Sequence, residues 1–252
     1  PDMPGPKHPE LFEPTRIGSI EVKNRYAMGP MGPLGFATAK GGFNARSIEY
    51  YVARARGGCG LIITGVCQVD NPADGVPDGL IPNPTLSPGI FMTTARDLTE
   101  RVHAYGAKIV LQAGAGFGRV ITPAVLGDRQ PASASETPYR WDPSRTCREM
   151  TKDEIHHVVD GFRTTAHVAK AAGFDGVEIH GANGYLLDQF LQDGSTRRYS
   201  VEELAAAFPE VGIGLLGVSL AFGLMLVLIL AVSALGIRGS GRVFADLKTI
   251  YE

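Results

Sequence analysis

From Val211 to Ile237 the chain runs 27 residues without one Asp, Glu, Lys, Arg, His, Asn or Gln. All 24 Lys and Arg and all 26 Asp and Glu therefore lie outside it. A run longer than about 18 apolar residues makes a membrane-spanning helix the leading expectation. At ~1.5 Å per residue a helix over 211–237 is roughly 40 Å long, more than a ~30 Å hydrocarbon core requires. Gly217 with Ala221 and Ser219 with Gly223 form small-residue pairs suited to close helix contact. Burial of the run inside a soluble fold is the alternative. Either way the chain divides into two parts, 1–198 and 199–252.

Composition restricts the first part. Hydrophobic residues make up 44% of the chain and charged residues 20%, a balance that excludes disorder. A net charge of -2 leaves no basic excess for nucleic acid. Three cysteines, Cys59, Cys67 and Cys147, match neither a disulfide framework nor a zinc site, so reduced thiols in a cytoplasmic setting are expected. Pro1 to Pro9 carries no apolar core, unlike a secretory signal.

Strands alternate with helices through this part. Phe12 to Asn24 reads as a hairpin around Gly18-Ser19, and Arg25 to Met28 as a short strand. Ser47 to Arg56 places Ile48, Tyr51, Val52 and Ala55 on one helical face. The apolar runs Gly60–Thr64, Lys108–Gln112 and Gly176–His180 suit strands buried on both faces. A helix is expected over Ala95–Tyr105. Another begins at Thr151-Lys-Asp-Glu154, which has capping-box spacing, and ends before Gly173. Between them a loop carries Pro123, Pro131, Pro138 and Pro143. The order βαβαβαβ calls for a parallel sheet, and a doubly wound sheet and a (β/α)8 barrel both satisfy it.

Polar residues at strand ends direct attention to one face. Gln112 and His180 are the last residues of their strands, while Met31 and Gly65 directly follow theirs. In parallel α/β folds the C-terminal strand ends form the ligand face. An isolated strand-end histidine is more often structural, so the surrounding motif decides. Gly114-Ala-Gly-Phe-Gly118 runs into a proline-rich loop and not a helix, which argues against a dinucleotide loop. His156 and Asp160 share a helical face without a third ligand, which favours a solvated face over a metal site.

The segment Gly176-Val-Glu-Ile-His-Gly-Ala-Asn-Gly-Tyr-Leu-Leu-Asp-Gln-Phe-Leu191 closely resembles the old yellow enzyme family of flavin-dependent ene-reductases. Leu11-Phe-Glu-Pro14, Lys23-Asn-Arg25, Gly29-Pro-Met31, Arg54-Ala-Arg-Gly-Gly58, Gly60-Leu-Ile-Ile-Thr-Gly65 and Arg148-Glu-Met-Thr-Lys-Asp-Glu-Ile155 agree with it in order. The resemblance covers residues 10 to 198. It implies a (β/α)8 barrel with FMN at the C-terminal mouth, reducing activated C=C bonds of enones or enoates with NAD(P)H as electron donor. It also implies that His180 and Asn183 hydrogen-bond the substrate carbonyl and that Tyr185 delivers a proton. Gln112 would meet the flavin pyrimidine edge, with Pro30, Met31, Gly32 and Gly65 lining the ring. Many members carry Thr or Cys where this chain has Gly32. The opening around Met28–Gly35 and the stretch Gly116-Phe-Gly-Arg119 are most similar to the branch acting on bulky enones.

After Arg198 the family pattern stops at four strands of an expected eight. The missing half normally supplies an arginine beside the flavin and the turns that hold its phosphate. Residues 208–236 are instead similar to an aquaporin membrane helix, without the Asn-Pro-Ala loop of a pore. The expectation is therefore an α/β fold: the first half of a (β/α)8 barrel over 1–198, then one long hydrophobic helix over 211–237 and a short polar tail. An FMN-dependent oxidoreductase with a small-molecule substrate is the leading reading. A non-enzymatic barrel fragment that cannot hold flavin, membrane-anchored through 211–237 or self-associated through its open edges, is the alternative.

Overall fold

The apolar runs and amphipathic stretches become strands and helices in the expected order. The computed structural model describes residues 7–32, 34–76, 78–191, 214–215 and 227–230. A hairpin of β1 (Thr15–Ile17) and β2 (Ile20–Val22) precedes β3 (Ala27–Met31), α1 (Ala45–Arg56), β4 (Leu61–Thr64) and β5 (Cys67–Gln68). Then come α2 (Pro88–His103), β6 (Lys108–Gly114), α3 (Pro123–Leu126), β7 (Ala132–Ser133), β8 (Thr137–Tyr139) and β9 (Asp142–Glu149). Next are α4 (Lys152–Ala171), β10 (Gly176–His180) and α5 (Leu186–Leu191), followed by the strands β11 (Gly214–Leu215) and β12 (Val227–Leu230).

β3, β4, β6 and β10 lie side by side and parallel, with α1, α2 and α4 as the crossovers. Period-2 alternation divides their side chains between two faces. Ile62, Ile109, Leu111, Val177 and Ile179 point to the helix layer, where they pack with the buried faces of α1, α2 and α4. Burying a side chain such as Phe91 or Leu98 there stabilises the fold by about 1.5–3 kcal/mol each. On the other face Leu61, Ile63 and Val110 pack under Val22 of the β1–β2 hairpin. Two residues beyond Val110, the same face presents Gln112, and β10 sets Glu178 in register with it.

The caps fix where the crossover helices begin. α2 starts at Pro88, well before the expected Ala95, because proline at a first helical position loses no needed hydrogen bond. α4 begins with the expected capping box: the Glu154 N–H donates to Thr151 Oγ1 at 3.2 Å, and the Thr151 N–H donates to Glu154 Oε2 at 2.9 Å. Arg148 adds two bonds to the same carboxylate, at 2.8 and 2.6 Å. Chiefly through Arg148, the Glu154 carboxyl is held down at about 2. A depressed carboxyl contributes stability above its ordinary pKa and loses it as pH falls towards the folded value. Glu154→Gln should therefore be the less stable protein above about pH 5, with the gap closing between there and about pH 2. Urea unfolding across that range measures it, and a constant gap would contradict the assignment.

Two expectations change. The proline-rich segment before α4 is not all loop, because β7, β9 and β8 form a three-stranded sheet inside it. Tyr139 and Cys147 pack there with Ile121 and Leu126. Pro138 is accommodated because β8 is an edge strand, where a missing N–H costs no ladder bond. The hydrophobic helix expected over 211–237 falls mostly outside the described residues. Its six described residues are strands and not helix: β12 pairs antiparallel with β10, matching Val177 to Leu230 and His180 to Val227, and β11 pairs with β12. A short Val-Leu-Ile-Leu run has no periodicity to separate strand from helix, and the outer edge of β10 offers it a ladder. No helix among the described residues is long and apolar enough to cross a membrane.

Candidate active site

The C-terminal ends of β3 and β4 meet through bare backbone. A Cβ placed on Gly32 would stand 2.9 Å from the Gly65 Cα, and one on Gly65 would come closer still to the Gly32 backbone. The buried Tyr51 of α1 ties the two ends together: its hydroxyl accepts from the Gly65 N–H at 2.8 Å and donates to the Met31 carbonyl at 3.2 Å. Burial pushes its phenol well above the usual range, so it stays a neutral hydrogen-bonding group. Met31 is 62% exposed at the rim, and Pro30 is half-buried.

On β6 and β10 three polar side chains share the inner face. Gln112 donates from Nε2 to Glu178 Oε1 at 3.2 Å, and the same nitrogen is 3.5 Å from His180 Nδ1. The Gln112 N–H donates to Thr64 Oγ1 at 3.1 Å, fastening β6 to β4. Burial holds His180 below its ordinary value, so the imidazole is neutral at pH 7, and Asp188 opposes the shift. With Nδ1 turned towards the Gln112 amide as an acceptor, the remaining proton belongs on Nε2.

After His180 the chain turns sharply. Asn183 is exposed at the tip with φ 65°, and Gly184 follows at φ 68°. The Gly184 N–H donates to Asp188 Oδ2 at 2.7 Å, and α5 begins one residue after Tyr185. The Tyr185 ring stands edge-on to His180, with centroids 5.1 Å apart, and to Phe117 at 5.0 Å.

Gln189 holds this turn against the loop after β6. Its Nε2 donates to the Phe117 carbonyl at 3.0 Å and the Gly184 carbonyl at 2.6 Å. Its Oε1 accepts from the Arg119 N–H at 3.1 Å and the Ser133 hydroxyl at 2.8 Å. Asp74 supports the same loop by accepting from the Phe117 N–H. Burial raises its carboxyl to about 6, although the Phe117 and Gly118 N–H groups lower it.

The structure thus brings Gln112, His180 and Tyr185 into one chain of contacts. A cavity of about 140 Å³ is lined by Gly32, Tyr51 and Gly65 together with Phe117 and Tyr185. Asn183 stays at the exposed tip of its turn. Tyr51, Asp74 and Gln189 join the site beyond the residues that the sequence points to. For Gln189 one signal was available, its place four residues after Tyr185 on a helix.

The sequence model of the family described as "NADH:flavin oxidoreductase / NADH oxidase family" matches residues 10–200. Cinnamate reductase of Clostridium sporogenes is 52% identical over 181 residues, which are 71% of this chain and 27% of that protein. NADH oxidase of Thermoanaerobacter brockii is 40% identical over 190 residues, 75% of this chain and 28% of that one. The chain therefore spans little more than a quarter of these relatives. Among solved structures, the old yellow enzyme homologue of Zymomonas mobilis superposes with TM-score 0.62 at 31% identity, covering 79% of this chain and 57% of its own. Morphinone reductase in complex with tetrahydroNAD gives 0.63 at 31% identity, with 79% and 58% covered.

Proposed function

Because the chain belongs to the NADH:flavin oxidoreductase / NADH oxidase family, we propose that residues 1–198 carry the front half of an FMN-dependent ene-reductase site. The substrate would be an enone or enoate and the electron donor NAD(P)H. The observation that carries this reading is the run of contacts from Gln112 through His180 to Tyr185, at the mouth formed by Gly32 and Gly65.

The residues present fit a flat ring with an imide edge. Gly32 and Gly65 offer backbone without side chains, Pro30 and Met31 line the rim, and the Gln112 amide, its NH2 end turned to Glu178, can offer its carbonyl to a ring N–H. FMN, when bound, supplies the hydride carrier between NAD(P)H and the alkene. His180, neutral and carrying its proton on Nε2, donates to the substrate carbonyl, with Asn183 as a second donor. Both would stabilise the negative charge that develops on that oxygen. Tyr185, held beside His180, would give its phenolic proton to the α-carbon. In the family pattern the phosphate is held from the second half of the barrel, and this chain departs from that pattern after Arg198.

FMN retention by the purified chain tests the proposal. The protein should stay yellow through desalting and release FMN on denaturation. Its colour should bleach with NADH or NADPH without oxygen, and return with a cinnamate-type enoate or an enone. A chain that retains no FMN and does not quench its fluorescence would favour the non-enzymatic alternative.

A further inference from the structure

Glu178 takes no part in the chemistry above, yet it is a carboxyl only 1% exposed in the middle of the inner face. Oε1 accepts from Gln112 Nε2 at 3.2 Å, whereas Oε2 is buried with no hydrogen-bond partner among the described residues. We infer that Glu178 is a positioning residue for the amide that reads the flavin ring, selecting through its own proton which end of Gln112 faces the mouth. The inference rests on the flavin reading of that mouth.

The selection follows from hydrogen-bond capacity. A carboxylate can only accept, so ionised Glu178 draws the NH2 end of Gln112 inward and leaves the amide carbonyl to face the mouth. An outward carbonyl matches the single N–H of a ring imide, which is flanked by two carbonyls. Protonated Glu178 has a hydrogen to donate, which allows the amide to turn and present NH2 outward. That end matches only the flanking carbonyls and leaves the imide N–H unsatisfied.

The surroundings favour a proton that comes and goes near neutrality. Burial raises the carboxyl to about 7, and the bond from Gln112 pulls the other way. Gln112 stands opposite it in register on β6, with Val110 and Ile63 farther along the same face, and none of them titrates. His180 lies two residues along the same strand, with Asp188 acting on it from α5. Lys108 begins the same face of β6, but its ammonium is bound to Asp175 at 2.9 Å.

The amide can be observed without flavin. In the full chain with 15N-labelled glutamine, the Gln112 side-chain resonances, assigned by their loss in Gln112→Leu, should shift with a midpoint near 7. In Glu178→Gln, which always offers an acceptor, that shift should vanish while any shift at lower pH from His180 remains. FMN affinity, followed by fluorescence quenching, should fall about 3- to 10-fold as pH drops through the same midpoint, the worth of one hydrogen bond. Glu178→Gln should remove that dependence. A Gln112 amide unresponsive near neutrality, or an unchanged response in Glu178→Gln, would overturn the inference. A responsive amide in a chain that binds no FMN would support the selection and defeat the flavin reading instead.

Discussion

Tyr185→Phe is expected to slow reduction of an α,β-unsaturated carbonyl compound by about 10²–10⁴-fold, the usual contribution of a positioned general acid. Reduction of the flavin by NAD(P)H should proceed at the wild-type rate. The separation is expected because the ring keeps its place without the hydroxyl: its contacts with His180 and Phe117 are edge-to-face and need only the aromatic carbons. What disappears is the proton for the α-carbon. Rapid mixing resolves the two half-reactions. Equal slowing of both would show that Tyr185 holds the site together and is not its acid.

Gln189→Leu should be the most damaging single change away from the reacting groups, costing about 3–5 kcal/mol of folding stability. The leucine fills a similar volume but leaves the Arg119 N–H, the Ser133 hydroxyl and the Phe117 and Gly184 carbonyls without this amide. Each buried group left unsatisfied costs about 1–3 kcal/mol, and entry of water returns part of that. Urea unfolding measures the loss. A cost near that of an exposed substitution, within about 0.5 kcal/mol, would show that the turn and the loop hold without Gln189. Gln189→Glu is the informative companion, since its carboxylate accepts from Arg119 and Ser133 but cannot donate to the two carbonyls.

Which parts of this fold were legible in the sequence depended on how local their causes are. The Thr151–Glu154 box and the Gly176–His180 strand are written within a few residues, so both stand where expected. The start of α2 lies seven residues before Ala95, because its first turn is set by Pro88 and carries no apolar periodicity of its own. Prolines hide the β7–β9–β8 sheet: Pro138 sits on the edge strand β8, and Pro143 lies at the start of β9, away from Arg148 and Glu149 where β7 pairs. For the segment around Val227–Leu230, composition alone could not tell a helix from a strand with a ladder waiting for it. The site divides in the same way. His180 and Tyr185 share one motif, whereas Gln189 acts on Phe117, 72 positions away, and Tyr51 reaches Gly65 from the apolar face of a helix. Contacts of that range leave no periodic trace.

The abutment of Gly32 on Gly65 constrains how this site can change over generations. A side chain at either position collides with the main chain of the other, so both stay glycine while the two strand ends stand this close. A hydroxyl or thiol beside the ring at position 32 requires the backbone there to shift. The two strand ends must first move apart, and Tyr51 bridges both of them. Descendants of this chain would more readily retune the ring from Gln112 or from the rim at Met31. A library varying positions 32, 51 and 65 together would sample side chains at 32 with the bridge between the two strand ends released.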